Sequence, residues 1–254
     1  MQRKGLGTEA VRGGLVATAL AVALAGCTEL RSAVTGECVG QRPITVVMID
    51  GSATQADPGL LAEQVDLVAA VAQGTSEQCG RLRVERFRGS ASDVDTILDR
   101  DVTPKGATDG ARAGNRVAVV DDVRRAVEDA MAATPARGGS DPLGAMARGG
   151  RLLNQDKRER RQLVVVTDGV QSHDPNLATA ELSAATATRF VDSAGPLPDL
   201  SGIDLVVTGV GRVSGAKPPT SYVNGLVAFY TETCRRSGAT SCQVTDAMLL
   251  RRAI

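Results

Sequence analysis

The chain has 254 residues, 43% of them apolar, with 29 basic and 29 acidic side chains and a formal charge of +0. That length suits one large domain or two small ones, and the charge balance excludes a nucleic-acid footprint and a general electrostatic grip on membranes. Aromatics make up only 2% and tryptophan is absent, so the core must be built from Val, Leu, Ile and Ala.

Arg3, Lys4 and Arg12 precede an apolar run from Leu15 to Ala25 that ends in Leu24-Ala25-Gly26-Cys27. A basic region followed by so short an apolar stretch reads as an export signal, too short to span a membrane as a mature helix. The small residues before Cys27 resemble a bacterial lipobox, which is cut ahead of a cysteine that then carries lipid on its sulfur. Residues 1–26 are therefore expected to be a lipoprotein signal peptide, and 27–42 a lipidated cysteine with a polar tether. The domain proper is expected over 43–254, on the extracytoplasmic face of the cell membrane. One chain of lipid anchors only marginally, so multiple acylation, palmitate included, is implied. Outside the cytoplasm disulfides are expected. The remaining cysteines, Cys38, Cys79, Cys234 and Cys242, allow three pairings. Their spacing matches no strong zinc pattern.

Ile44 to Ile49 is a continuous β-branched and apolar run, the mark of a strand buried on both faces. It stops on Asp50 and then offers hydroxyls at Ser52 and Thr54. Leu61, Val65, Val68 and Ala72 give an amphipathic helix over 59–73, with Gly74 as its stop. Arg81 to Arg88 reads as a second strand in which Phe87 breaks the alternation of Leu82 and Val84, and a short strand is expected within Ser92 to Leu98. Asp101 to Gly114 reads as a surface loop, and Asn115 to Ala133 as a helix with Val120, Val123, Val127 and Met131 on one face. Asp141 opens a helix to Leu153, and Leu163 to Thr167 is another apolar strand. Leu177 to Ser193 is expected to be helical, Ile203 to Thr208 a strand, Ser221 to Ser237 a helix, and Cys242 to Thr245 a last strand. Alternating helices and fully apolar strands specify an α/β fold, doubly wound, with a mainly parallel central sheet flanked by helices.

In such a sheet ligands bind beyond the carboxyl ends of the strands. Three stretches put oxygen there: Asp50-Gly51-Ser52-Ala53-Thr54, Gly138-Gly139-Ser140-Asp141 and Thr167-Asp168-Gly169. Singly each reads as a cap or a turn. Two carboxylates and three hydroxyls drawn from these stretches, which contain no His or Cys, would make a donor set for a hard cation such as Mg²⁺ or Mn²⁺. His173, in Ser172-His173-Asp174-Pro175, reads as a solvated loop histidine.

The D-G-S-A-T, G-G-S-D and V-V-V-T-D-G stretches resemble the three loops of a von Willebrand factor type A domain, a Rossmann-like three-layer fold, and Ile203 to Gly211 resembles one of its late strands. The likeness runs from about Pro43 to Asp246. It implies a metal-ion-dependent adhesion site formed by Asp50, Ser52, Thr54, Ser140 and Asp168, completed by an acidic side chain from a partner. Thr54 stands where serine is usual and Ser140 where threonine is usual, and both keep the hydroxyl. The family also places the first two strands side by side, which implies the pairs Cys38–Cys79 and Cys234–Cys242 at the edge opposite the metal. A binding module follows, facing away from the bilayer. The alternative is a structural envelope lipoprotein with a degenerate, metal-free version of the same fold.

An enzyme is not expected. Ser52 stands where a phosphoryl-transfer aspartate would need a second acid, and the chain lacks a Gly-x-Ser-x-Gly elbow, a phosphate-cradling loop and a dinucleotide fingerprint.

Overall fold

The computed structural model describes residues 42–133, 138–158, 160–178 and 181–248. The expected signal segment, Cys27 and Cys38 lie outside the described residues. Among the described residues no helix is long and apolar enough to cross a membrane.

The strands are β1 (Ile44–Asp50), β2 (Arg81–Arg88), β3 (Ser90–Asp101), β4 (Arg161–Val166), β5 (Asp204–Thr208) and β6 (Ser241–Thr245). The helices are α1 (Pro58–Glu77), α2 (Asp109–Ala133), α3 (Pro142–Gln155), α4 (Ala187–Asp192) and α5 (Thr220–Arg236). The strands form one six-stranded sheet in the order β3-β2-β1-β4-β5-β6. Only the β2–β3 pair is antiparallel. The chain starts at the centre, winds outward through β2 and β3, then crosses to β4 and winds outward the other way. The direction reverses between β1 and β4, so the loops leaving these two strands diverge and open a crevice at their carboxyl ends.

Strand periodicity divides the core in two. Ile44, Val46 and Met48 join Leu163, Val165, Leu205 and Val207 beneath α3, α4 and α5. Val47 and Ile49 join Val164, Val166 and Val206 beneath α1 and α2. The result is a three-layer α/β fold. Phe87 does not break the β2 pattern. Leu82 and Val84 point toward α1 and α2, while Glu85 and Phe87 point toward α3, where Arg148 Nε donates to Glu85 Oε2 at 2.5 Å. Glu85 is fully buried, which pushes its pKa up, but its bonds to Arg148 and Arg83 outweigh burial and leave it below the ordinary range.

Helix α3 approaches the sheet because Gly149 and Gly150 lack side chains. A Cβ on Gly149 would collide with Leu163, and one on Gly150 would stand 2.8 Å from the Asp199 carbonyl oxygen.

Several boundaries differ from the sequence reading. Gly74 does not stop α1, because Thr75 and Ser76 are buried and Thr75 Oγ1 donates to Val71 O (2.8 Å) and to Thr45 Oγ1 of β1 (3.1 Å). The helix ends instead at Glu77, with Cys79 taking φ 54° in the turn beyond it and the Gly80 amide reaching back to Thr75 O at 2.8 Å. Strand β3 runs well beyond Ser92–Leu98. Its aspartates face β2 arginines in register, with Arg81 opposite Asp101, Arg83 opposite Asp99 and Arg86 opposite Asp95. Helix α2 starts at Asp109, inside the expected loop, where Thr108 Oγ1 accepts the Ala111 amide at 3.2 Å. The expected helix over 177–193 shrinks to Ala187–Asp192. Ahead of it the Ser183 amide donates to Thr186 Oγ1 (2.9 Å), and such local side-chain bonds compete with helix.

Cys234 of α5 and Cys242 of β6 form a disulfide with their Cα atoms 6.1 Å apart, within the usual span. The other expected pair, Cys38–Cys79, has one member outside the described residues.

Candidate functional site

The site grows from the end of β1. The Gly51 amide extends the β1–β2 ladder by donating to Phe87 O (2.9 Å), and the chain then turns as the Ser52 amide donates to Asp50 Oδ1 (2.9 Å). This small Asx-type closure holds the carboxylate against its own loop. A single 3₁₀ turn at Ala53–Gln55 follows, and Asp57 caps α1 through the Gly59 amide (2.8 Å) with Pro58 in the first turn. Ser52 is buried and Thr54 exposed, yet their hydroxyl oxygens lie 3.0 Å apart.

The second loop arrives at the start of α3. Asp141 caps the helix by accepting the Gly144 amide (2.9 Å), which leaves Ser140 to face β1. Ser140 Oγ donates to Asp50 Oδ2 at 2.6 Å. The third loop leaves β4. Thr167 Oγ1 donates to the same Asp50 oxygen at 2.7 Å and accepts the Gly169 amide at 3.0 Å. The next residue, Asp168, accepts the Val170 amide on Oδ1 (2.8 Å), while its buried Oδ2 has no hydrogen-bond partner.

The five residues singled out by sequence thus meet at one crevice. Asp50 and Asp168 are both fully buried. Burial raises the Asp50 pKa, opposed by its bonds to Ser140, Thr167 and Ser52. Asp168 is pushed up to about 7, first by burial and then by the charge of Asp50, with Thr54 and the Val170 amide opposing. The bonds described for the two carboxylates come from hydroxyls and backbone amides, none from a lysine or arginine. Two acids are therefore held in low dielectric without a described basic partner.

Oxygen is the only donor element here. Two ligands at right angles around an ion with ~2.1 Å bonds stand about 3.0 Å apart, the separation of the Ser52 and Thr54 oxygens. Ser140 and Thr167 donate their hydroxyl hydrogens to Asp50, which leaves the Ser140 lone pairs available, while Thr167 already accepts the Gly169 amide on one of its own. The residues present therefore fit a small hard cation.

Three contributors lie outside the five-residue set expected from the sequence, although Thr167 opens the third of the oxygen-bearing stretches. Thr167 reads as an ordinary last residue of a β-strand, although its place beside Asp168 was a usable clue. Gln55 is buried; its Nε2 donates to Arg212 O (2.7 Å) and its Oε1 accepts from Gln64 (2.6 Å), tying the first loop to α1 and to the loop after β5. Tyr230 of α5 donates to Gly169 O at 2.9 Å, and a Cβ on Gly169, which takes φ 76°, would stand 2.9 Å from the tyrosine ring.

No protein-family profile matches the chain, and neither does any curated protein. Among solved structures the chain is similar to an aerotolerance-related membrane protein from Bacteroides fragilis carrying multiple mutations to serine. The identity is 16% and the TM-score 0.47, over 81% of this chain and 92% of that one. It is also similar to the conserved hypothetical protein BatB from Bacteroides thetaiotaomicron, at 13% identity and TM-score 0.45, over 80% of this chain and 90% of that one. A third similar structure is the PilB minor pilin from Streptococcus sanguinis, at 12% identity and TM-score 0.44, over 83% of this chain and 58% of that one.

Proposed function

We propose that this chain is a lipid-anchored extracytoplasmic binding module of the von Willebrand factor type A kind, which engages a partner's acidic side chain through a divalent metal ion. The observation that carries the reading is the pairing of two buried carboxylates, one with an unpartnered oxygen, beneath two hydroxyls spaced as adjacent ligands of Mg²⁺ or Mn²⁺. Ser52, Thr54 and Ser140 would hold the ion through their hydroxyl oxygens, with Asp50 and Asp168 supplying the negative charge. The ion would supply a Lewis-acidic position for an incoming carboxylate. The chain's own part is to orient the hydroxyls: Asp50 fixes Ser140 and Thr167 by accepting their protons. Catalysis is not part of the reading. Cys27 would carry the lipid and the tether would hold the domain.

Calorimetric titration of the full chain in detergent with Mg²⁺ and Mn²⁺ tests the metal reading. Binding heat is expected in the wild type and none in the Asp50→Ala, Asp168→Ala double variant. A folded wild type that gives no heat would favour the structural, metal-free lipoprotein. Retention of a Cys27→Ser variant in the membrane fraction would remove the lipid anchor from the proposal.

A further inference from the structure

A cavity of about 510 Å³ adjoins the proposed metal crevice. One wall is the turn between β2 and β3, with Arg88 and Asp93. The other is the pair Gly138-Gly139 with Ser172 and His173. The cavity and the metal crevice share a backbone, since Gly139 directly precedes Ser140. They also share a brace: the Ser140 amide donates to Ser172 Oγ (3.1 Å), and the Ser172 amide donates to Ser140 O (2.8 Å). A ligand carboxylate directed at the hydroxyls of the crevice therefore brings its neighbouring group over this cavity.

The lining decides what that group can be. Arg88 is only 7% exposed and its Nε lacks a hydrogen-bond partner, while its Nη2 holds Asp93 (2.9 Å) and Asp95 (3.0 Å). An anion would meet Asp93 and a cation would meet Arg88, so neither sign is favoured. His173 Nε2 is bonded to Gly89 O, which as a carbonyl can only accept, so in the neutral ring Nδ1 is the acceptor. The lining thus offers both donors and acceptors, with hydroxyls at Ser90 and Ser172, the Asp93 carboxylate and His173 Nδ1, the match for a side chain that offers both. No Phe, Tyr or Trp side chain lines it. The glycines leave room, since a Cβ at Gly138 would have nothing within 4 Å.

Resting on the metal-dependent reading above, we infer that this cavity is a specificity subsite for an uncharged polar side chain, carboxamide or hydroxyl, next to the metal-bound acidic residue of a protein partner. The subsite selects among acidic sequences, while the metal supplies the common anchor.

The test uses an array of acetylated, amidated hexapeptides, each with one central Asp or Glu and varied neighbours, probed with the full chain in detergent plus Mn²⁺ or chelator. Metal-dependent capture is expected to favour Asn, Gln, Ser or Thr beside the acid. Gly138→Leu, which fills the cavity, and His173→Ala, which empties a wall, are expected to weaken the favoured peptides by about threefold to tenfold, the size of one hydrogen bond. Both variants should keep the calorimetric metal heat. Capture with no neighbour preference, or a preference that survives both variants, overturns the subsite. Metal heat with no peptide captured overturns the assignment to a protein partner. Absence of metal heat in the wild type is a different failure, that of the metal reading, and removes this inference with it.

Discussion

Replacing Asp168 with asparagine separates the charge of the crevice from its shape. Asn keeps the oxygen that accepts the Val170 amide and removes a titration pushed from the ordinary 3.8 to about 7. Without metal, the folded chain holds a proton on Asp168 that the unfolded chain releases above about pH 4. Stability therefore falls as pH rises through that window and levels off above about 7. At 1.36 kcal/mol per pH unit the full cost is about 4 kcal/mol, or roughly 10 °C in melting temperature for a domain of this size. Asp50 is raised by the same burial and contributes in the same direction, while Glu85 and Asp99, both lowered, lose their contributions only as pH falls into the acid range. The difference between wild type and Asp168→Asn reports Asp168 together with its coupling to Asp50. The assay is thermal unfolding of both proteins by circular dichroism in chelator between pH 4.5 and 7.5. The wild type should lose stability relative to the variant across that range, and Mg²⁺ or Mn²⁺ should restore it to the wild type alone at neutral pH. Two curves that stay parallel would refute a strained, buried Asp168.

Thr167→Val keeps the shape of a residue absent from the expected ligand set but strips a donor from Asp50 and an acceptor from the Gly169 amide. A loss of about 1–3 kcal/mol in urea unfolding is expected, together with weaker Mn²⁺ binding by titration. Cys242→Ser opens a bridge spanning 8 residues, for which chain entropy gives about 2.5 kcal/mol of destabilisation, read from the same unfolding curves with and without reductant. Metal affinity should be unchanged, because that bridge lies at the opposite ends of the strands. Gly150→Ala should destabilise by about 1–3 kcal/mol although alanine is the better helix former, because its Cβ meets the Asp199 carbonyl and Leu200 Cδ2. A neutral or stabilising result would show that α3 can lift off the sheet.

What the sequence discloses here depends on whether a signal is local. β1, β4 and β5 are buried on both faces, so each appears as an unbroken apolar run, and the acids that end or follow them stand out. That is why Asp50 and Asp168 are visible locally, whereas Ser52, Thr54 and Ser140 join them as a set only through the resemblance of the three loops. β3 is different. Its Asp and Ser residues look like a loop because the arginines that neutralise them sit on another strand, and only the pairing of Arg81, Arg83 and Arg86 with Asp101, Asp99 and Asp95 makes a strand of them. Gly74 misleads for a related reason. Glycine weakens a helix by about 1 kcal/mol, too little to end one whose next residues, Thr75 and Ser76, are buried against β1. The cavity beside the crevice is the least legible part. Arg88, Gly138 and His173 come from three separate stretches, and each reads alone as a strand end, a turn or a solvated loop. The proposed metal ligands lie in three short stretches, each of which can be read locally. The walls beside them are assembled across the fold from Arg88, Gly138 and His173, so they can be changed one at a time without touching the proposed anchor, which is what the Gly138→Leu and His173→Ala variants exploit.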